Sequence, residues 1–283
     1  MRTFAAIEEK YAAYEQAAIL LQSIPYDGTS TWGKGADRGF SAFLQAAENM
    51  ELYDIETDSE VYKRGIHILP HINENRTPEA VFQTVYNSAK ELLKTGKFLT
   101  FFGGEHSVSI GIIKAMYEAH PDITIVQLDA HADLRPEYLG SPYNHACAAH
   151  DALCHANLVQ AGIRSMDISE KEFLKPENCF FARDIFKNPH WITEALDRMT
   201  EKVYITLDLD VFDPSIMPAT GTPEPGGLDW YGTLAFLKEI FKNKQVLGFD
   251  IVELAPLAGN KAPEFLVAKL YYKMLSYKFK YNR

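Results

Sequence analysis

The stretch ITIVQLDAHAD, residues 123–133, decides how this chain is read. Its first six residues are a short, largely β-branched apolar run, the composition of a strand buried inside a sheet. Its last five place Asp129, His131 and Asp133 at alternate positions. In extended backbone, residues i, i+2 and i+4 point to one side, so the three polar groups are expected to project together from the end of a buried strand.

Working outward, runs of similar character recur at residues 18–24, 66–69, 98–102, 158–159, 203–207 and 246–251. Helical patterns lie between them. The clearest starts at Thr77, an N-cap with Pro78 in the first helical position, and carries Val81, Val85, Ala89 and Leu92 along one face to a stop near Gly96. Weaker patterns cover residues 40–50, 107–118, 230–241 and 263–272. Strands alternating with helices predict an α/β layer fold with a mainly parallel sheet, where ligands bind beyond the carboxyl ends of the strands.

The 283 residues contain no Pro/Ser/Gly-rich linker, charge block or internal repeat, and read as one domain over residues 1–283. With 28 Lys plus Arg against 38 Asp plus Glu, the formal charge is −10. That balance argues against nucleic acid, whose phosphates need a basic face, and suits small cations. No apolar stretch approaches the roughly 18 residues of a membrane span. Glu8 and Glu9 stand where a signal peptide would be apolar. Cys147, Cys154 and Cys179 form no CxxC pair and are too few for a disulfide scaffold, so a reducing, cytoplasmic compartment fits.

Two further strand ends carry chemistry. Asp208-Leu209-Asp210 follows residues 203–207, and Gly103-Gly104-Glu105-His106-Ser107 follows residues 98–102. The three ends together offer Asp129, Asp133, Asp208, Asp210, His106 and His131. Four carboxylates and two imidazoles without thiolate favour a hard or borderline divalent ion such as manganese over a structural zinc. Four negative charges packed together need neutralising, and two divalent ions do so, which predicts a binuclear centre able to hold hydroxide at neutral pH. Either Asp cluster alone would read as a turn or cap, as Asp213-Pro214 does. Gly28 to Gly35 matches the phosphate-cradling GxxxxGK but has Gly35 where Ser or Thr should stand, and reads as a glycine-rich loop lining a site.

GGEHS (residues 103–107), DAHADLR (129–135) and ITLDLDVFDPSIMPATGTPEPGG (205–227) together resemble the three signatures of the ureohydrolase family, the manganese enzymes that include arginase and agmatinase. Residues 28–39 and 248–253 look like further shared pieces, so the resemblance spans nearly the whole chain. It implies a three-layer α/β/α fold with a mainly parallel central sheet, of the arginase/deacetylase type. It also implies two Mn(2+) ions, with His106 and Asp133 on one, His131 and Asp210 on the other, and Asp129 and Asp208 bridging. His145 stands where the family keeps a proton-shuttling histidine, with His150 and His155 as nearby rivals. Glu253 stands where it keeps the carboxylate that pairs with the substrate guanidinium, and Asp133 is implied as a proton relay.

Ala132 departs from the Thr of many members and should face away from the metals. Ser141-Pro142-Tyr143-Asn144 lacks the arginase stretch that reads an amino-acid head group and is similar to the agmatinase pattern. The resemblance therefore favours a small cationic guanidine, agmatine, cleaved to putrescine and urea. Guanidinobutyrate, guanidinopropionate, arginine and formiminoglutamate are the alternatives within the family, and a noncatalytic metal- or nucleotide-binding protein is the alternative outside it. Family members commonly form trimers or hexamers, which implies a homo-oligomer. The aromatic, basic segment 271–283 reads as a final helix with snorkelling lysines or an oligomer contact.

Overall fold

The computed structural model describes residues 2–282. The seven apolar runs become strands β1 (Ile19–Ile24), β2 (Ile66–Ile68), β3 (Phe98–Gly103), β4 (Thr124–Leu128), β5 (Asn157–Ile163), β7 (Lys202–Asp208) and β8 (Gln245–Val252), joined by a short edge strand β6 (Cys179–Phe181). They form one sheet in the order β2-β1-β3-β8-β7-β4-β5-β6. Every ladder is parallel.

Helices α1 (Glu9–Ala12), α2 (Gly39–Ala47), α3 (Pro78–Leu93), α4 (Val108–Ala119), α5 (His150–His155), α6 (Ala182–Ile185), α7 (Trp191–Asp197), α8 (Trp230–Asn243) and α9 (Ala262–Tyr281) connect the strands. The expected N-cap of α3 forms, with the Thr77 hydroxyl accepting the Ala80 amide at 3.2 Å and Val81, Val85 and Ala89 buried below. Helix α9 joins the pattern read at residues 263–272 to the final helix read from residue 271 and runs to Tyr281, with Tyr271, Tyr272, Met274, Leu275 and Tyr277 buried against α2, α8 and the sheet. Among those aromatics Lys273 pairs with Asp54 and Glu56, and Lys278 donates to the Val246 carbonyl. No helix among the described residues is long and apolar enough to cross a membrane.

Alternate strand residues feed two separate cores, one on each face of the sheet. Ile19, Leu21, Phe102, Leu128, Leu207 and Ile251 pack with α2, α7, α8 and α9. On the opposite face Leu20, Leu99, Phe101, Ile125 and Tyr204 pack with α3, α4 and α5. Helix, sheet and helix make the three layers. Within the sheet, Phe102 is paired with Ile251, Ile251 with Leu207, and Leu207 with Leu128. This register aligns the carboxyl ends of four adjacent strands, β3, β8, β7 and β4, in one row at the sheet's centre. The residues that follow the row carry the chemistry.

Candidate metal centre

Past Leu128 the backbone does not stay extended, which corrects the straight i, i+2, i+4 projection. Asp129 Oδ1 accepts the His131 amide at 2.6 Å, and Asp208 Oδ1 accepts the Asp210 amide at 2.9 Å. Each strand end is thus closed by a turn in which an aspartate bonds the amide two residues on. Asp133 adopts a left-handed φ of 53°, a conformation that aspartate tolerates better than most residues. The convergence that alternation predicted is reached by these turns. Asp210 also reaches back, its Oδ1 accepting the Ala130 amide at 3.0 Å, and so ties β7 to β4.

His106 arrives from β3 through a close approach of two chains. A Cβ on Gly104 would lie 1.9 Å from the Tyr26 carbonyl oxygen, so only glycine fits there. The His106 Nε2 lies 3.0 Å from Thr206 Oγ1, and that hydroxyl donates to Asp250 Oδ1 at 2.7 Å. Asp250 accepts in addition from Tyr204 and Ser109. Since the single Thr206 proton goes to Asp250, Thr206 accepts from Nε2–H, and the lone pair of His106 lies on Nδ1. That Nδ1 is buried without a hydrogen-bond partner, yet carboxylate oxygens of Asp129, Asp133 and Asp208 stand 3.0, 3.2 and 3.3 Å away. A lone pair facing three carboxylates repels them unless a proton or a metal cation lies between, and against burial the three carboxylates hold the ring's pKa well above the usual imidazole value.

Against burial, the two histidines hold the Asp129 carboxyl below the usual carboxylate range, while its neighbours are crowded. Burial, followed by the Asp129 charge, pushes Asp133 up to about 7. Burial and the charges of Asp210 and Asp129 hold Asp208 well above the usual carboxylate range, and burial with Glu105 and Asp210 does so for Glu253. Divalent cations would relieve this crowding. Two overlapping groups could each hold an ion: His106, Asp129 and Asp208, and Asp129, His131 and Asp210. Asp129 belongs to both, and His131 Nδ1 lies 2.9 Å from Asp210 Oδ2. The donor set is oxygen and imidazole nitrogen throughout, which fits manganese-like ions.

The groups floor a cavity of about 280 Å³ whose walls include Thr31, Tyr138, His145, Met166, Asp167 and Glu253. Of the three candidate proton carriers only His145 lines it; His150 bonds the Leu134 carbonyl and His155 is an exposed residue beside Asp151. Burial, aided by His106 and His131, lowers the His145 pKa to about 4. Glu253 sits at φ 69°, a strained position for its side-chain type, with Oε1 accepting the His106 amide at 2.9 Å and its own amide donating to the Gly104 carbonyl at 2.7 Å. Ser141 and Asn144 do not reach the cavity; Ser141 bonds Glu79, and Asn144 caps the turn that starts at His145. Ala132 is fully buried in the core below the sheet end.

The glycine-rich loop turns two of its amides toward the protein. Its Gly33 amide donates to the Gly221 carbonyl, its Gly35 amide to Asp27, and Thr31 faces the cavity. Sequence reasoning missed Thr29, Glu105, Thr206 and Asp250, which lie behind the two histidines, and Arg164. The Arg164 guanidinium donates to the carbonyls of Asp210 at 2.6 Å and Glu224 at 2.8 Å, pinning two loops over the site. Glu170 was also missed, although Asp167-x-x-Glu170 is a legible capping box. Its two oxygens accept the Leu134 and Asp167 amides.

A profile of the arginase family matches residues 17–276. The chain is 38% identical to an N(1)-aminopropylagmatine ureohydrolase of Synechocystis sp., over 95% of this chain and 92% of that protein. It is 33% identical to an agmatinase of Bacillus subtilis, over 86% of each. Among solved structures, the agmatine ureohydrolase of Thermoplasma volcanium superposes with a TM-score of 0.88 at 31% identity, over 99% of this chain and 95% of that one.

Proposed function

This chain belongs to the arginase family, and on that premise we propose that it is a binuclear metal hydrolase that cleaves the guanidinium of agmatine to putrescine and urea. The observation that carries the reading is the unpartnered His106 Nδ1 among three carboxylates, at the floor of a cavity whose charge is in excess. We assign His106, Asp129, His131, Asp133, Asp208 and Asp210 as the ligands of two Mn(2+) ions. Such ions, when bound, supply a water activated at neutral pH. Counting Glu253, five carboxylates face four positive charges, and a guanidinium balances the one that remains.

A guanidinium is planar and resonance-stabilised, so it must be held in place before water can attack it. Glu253, fixed by the His106 amide, orients it through charge-assisted hydrogen bonds. Asp133 is placed to relay the water's proton to the leaving nitrogen, and His145 takes up and returns protons in exchange with solvent. In the cavity wall Asp167 and Glu170 stand 3.7 and 3.9 Å from the Arg135 guanidinium and outnumber it, and Glu224 lies 3.9 Å from His131 Nε2. A tail ending in ammonium is welcome there, and a tail ending in carboxylate is opposed.

The same wall supports a second reading. N(1)-aminopropylagmatine carries one further amine on a longer tail and would yield a triamine and urea, and the 38%-identical relative bears that name. The deciding experiment loads the purified protein with manganese and offers agmatine, N(1)-aminopropylagmatine, arginine and guanidinobutyrate in parallel, scoring urea. Turnover of the first two with little of the others is expected. Preference for a carboxylate-bearing guanidine refutes the assignment. If the longer amine is preferred, Asp167→Asn and Glu224→Gln should each raise its KM more than that of agmatine. The enzyme is expected to act as a homo-oligomer, which sedimentation would read directly.

A further inference from the structure

We propose that Thr29 is the positioning residue that sets which ring nitrogen of His145 carries the proton, its own hydroxyl being aimed by the buried carboxylate of Glu105. Thr29 Oγ1 has three neighbours: Glu105 Oε2 at 2.8 Å, His145 Nδ1 at 3.0 Å and the His145 amide nitrogen at 3.0 Å. A hydroxyl has one proton to give and two lone pairs to receive with. The amide can only donate, which fills one lone pair. Glu105 is fully buried, accepts from the Ser107 amide at 3.1 Å and the Ser107 hydroxyl at 2.7 Å, and receives the Thr29 hydroxyl on Oε2 at 2.8 Å. The one Thr29 proton is therefore directed to Glu105, and the second lone pair receives from the ring. His145 carries its proton on Nδ1, and Nε2 keeps a lone pair.

The consequence is chemical. With Nδ1–H anchored to the protein, Nε2 is the nitrogen left to take and return protons on the side where the ring lines the cavity, beside the Tyr138 ring at 6.1 Å. His106 is served by the same device with the nitrogens exchanged: Asp250 aims Thr206, Thr206 receives Nε2–H, and Nδ1 keeps the lone pair. A carboxylate behind a threonine thus prepares one imidazole as a ligand and the other as a proton carrier. Nothing in Gly28-Thr29-Ser30 announces this, because the carboxylate lies 76 residues away in sequence and the imidazole 116.

The inference rests on the reading of His145 as proton carrier, and its test separates the two. In the full chain labelled with 15N-histidine, His145→Ala identifies the His145 signals. Nδ1 should show the protonated, pyrrole-type nitrogen and Nε2 the bare, pyridine-type one. Thr29→Val should mix the tautomers, and Thr29→Ser should restore the original. In the manganese-loaded enzyme, Thr29→Val should lower kcat about tenfold to a hundredfold, part of what a placed proton carrier contributes. Thr29→Ser should recover most of it, and Thr29→Val should cost no more than about twofold in a His145→Ala background, where no tautomer remains to be set. A pyridine-type Nδ1 in the parent chain, or an equal loss of kcat with and without His145, overturns the assignment. An unchanged kcat in His145→Ala removes the proton-carrier reading instead, and the parent ring signals, which need no substitution at Thr29, still decide the tautomer.

Discussion

At the residue scale, the site is a case of like charges held together against their own repulsion. Asp129 stands at the centre, within reach of both His106 and His131 and common to both candidate ligand groups. Removing a carboxylate there should weaken the hold on both ions at once. Asp208→Ala and His131→Ala are expected to lose bound manganese and nearly all urea production, whereas His145→Ala should keep the metal and slow turnover. Metal analysis on dialysed protein alongside a urea assay separates the two classes, and full manganese content in the Asp208 variant would contradict the ligand assignment. All six candidate ligands, His106, Asp129, His131, Asp133, Asp208 and Asp210, were legible as residues that follow apolar runs. The threonines and carboxylates behind the histidines were not, because a Thr or Asp inside a strand has no local pattern that tells a hydrogen-bonded helper from a core polar residue.

At the element scale, the site depends on how closely strand ends approach. Gly104→Ala puts a methyl against the Tyr26 carbonyl, and relief requires the β1 and β3 ends to part. A loss of about 1–3 kcal/mol in denaturant unfolding is expected, together with weaker metal retention, since His106 is two residues on. Arg164 acts on loops in the same way from the other side. Arg164→Lys keeps the charge but cannot span the carbonyls of Gly162, Asp210 and Glu224, so it should loosen the segment around Asp210 while leaving the helices intact. Hydrogen exchange confined to residues near 210 and 224 would show it, and unchanged exchange there would rule it out. The strands and their order of chemistry were readable from the runs; β6 was not, because three residues at a sheet edge with mixed exposure make no run.

At the scale of the molecule, the sheet is closed over by contacts distant in sequence, and one of them should respond to acid. Burial alone would raise the Glu56 pKa, but hydrogen bonds from Lys238, Lys273 and Tyr277 outweigh it and hold the carboxyl down to about 2, tying residues 54–56 to α8 and α9. Unfolded, the group titrates near 4.3. It binds its proton less tightly when folded, so its contribution is complete above about pH 4.3 and fades as the pH falls toward 2. The group is partly exposed, which limits the effect to about 1 kcal/mol. Glu56→Gln should lose that much at pH 6 and little at pH 2.5 in urea unfolding, and equal losses at both would refute it. What the residues determined unaided was the alternation of strands and helices and the kinds of ligand at three strand ends, because apolar periodicity and donor chemistry are local properties. That the four central strands end in one row, and which hydroxyl faces each imidazole, were settled only by packing, since these depend on partners between about 40 and 150 residues away in the chain.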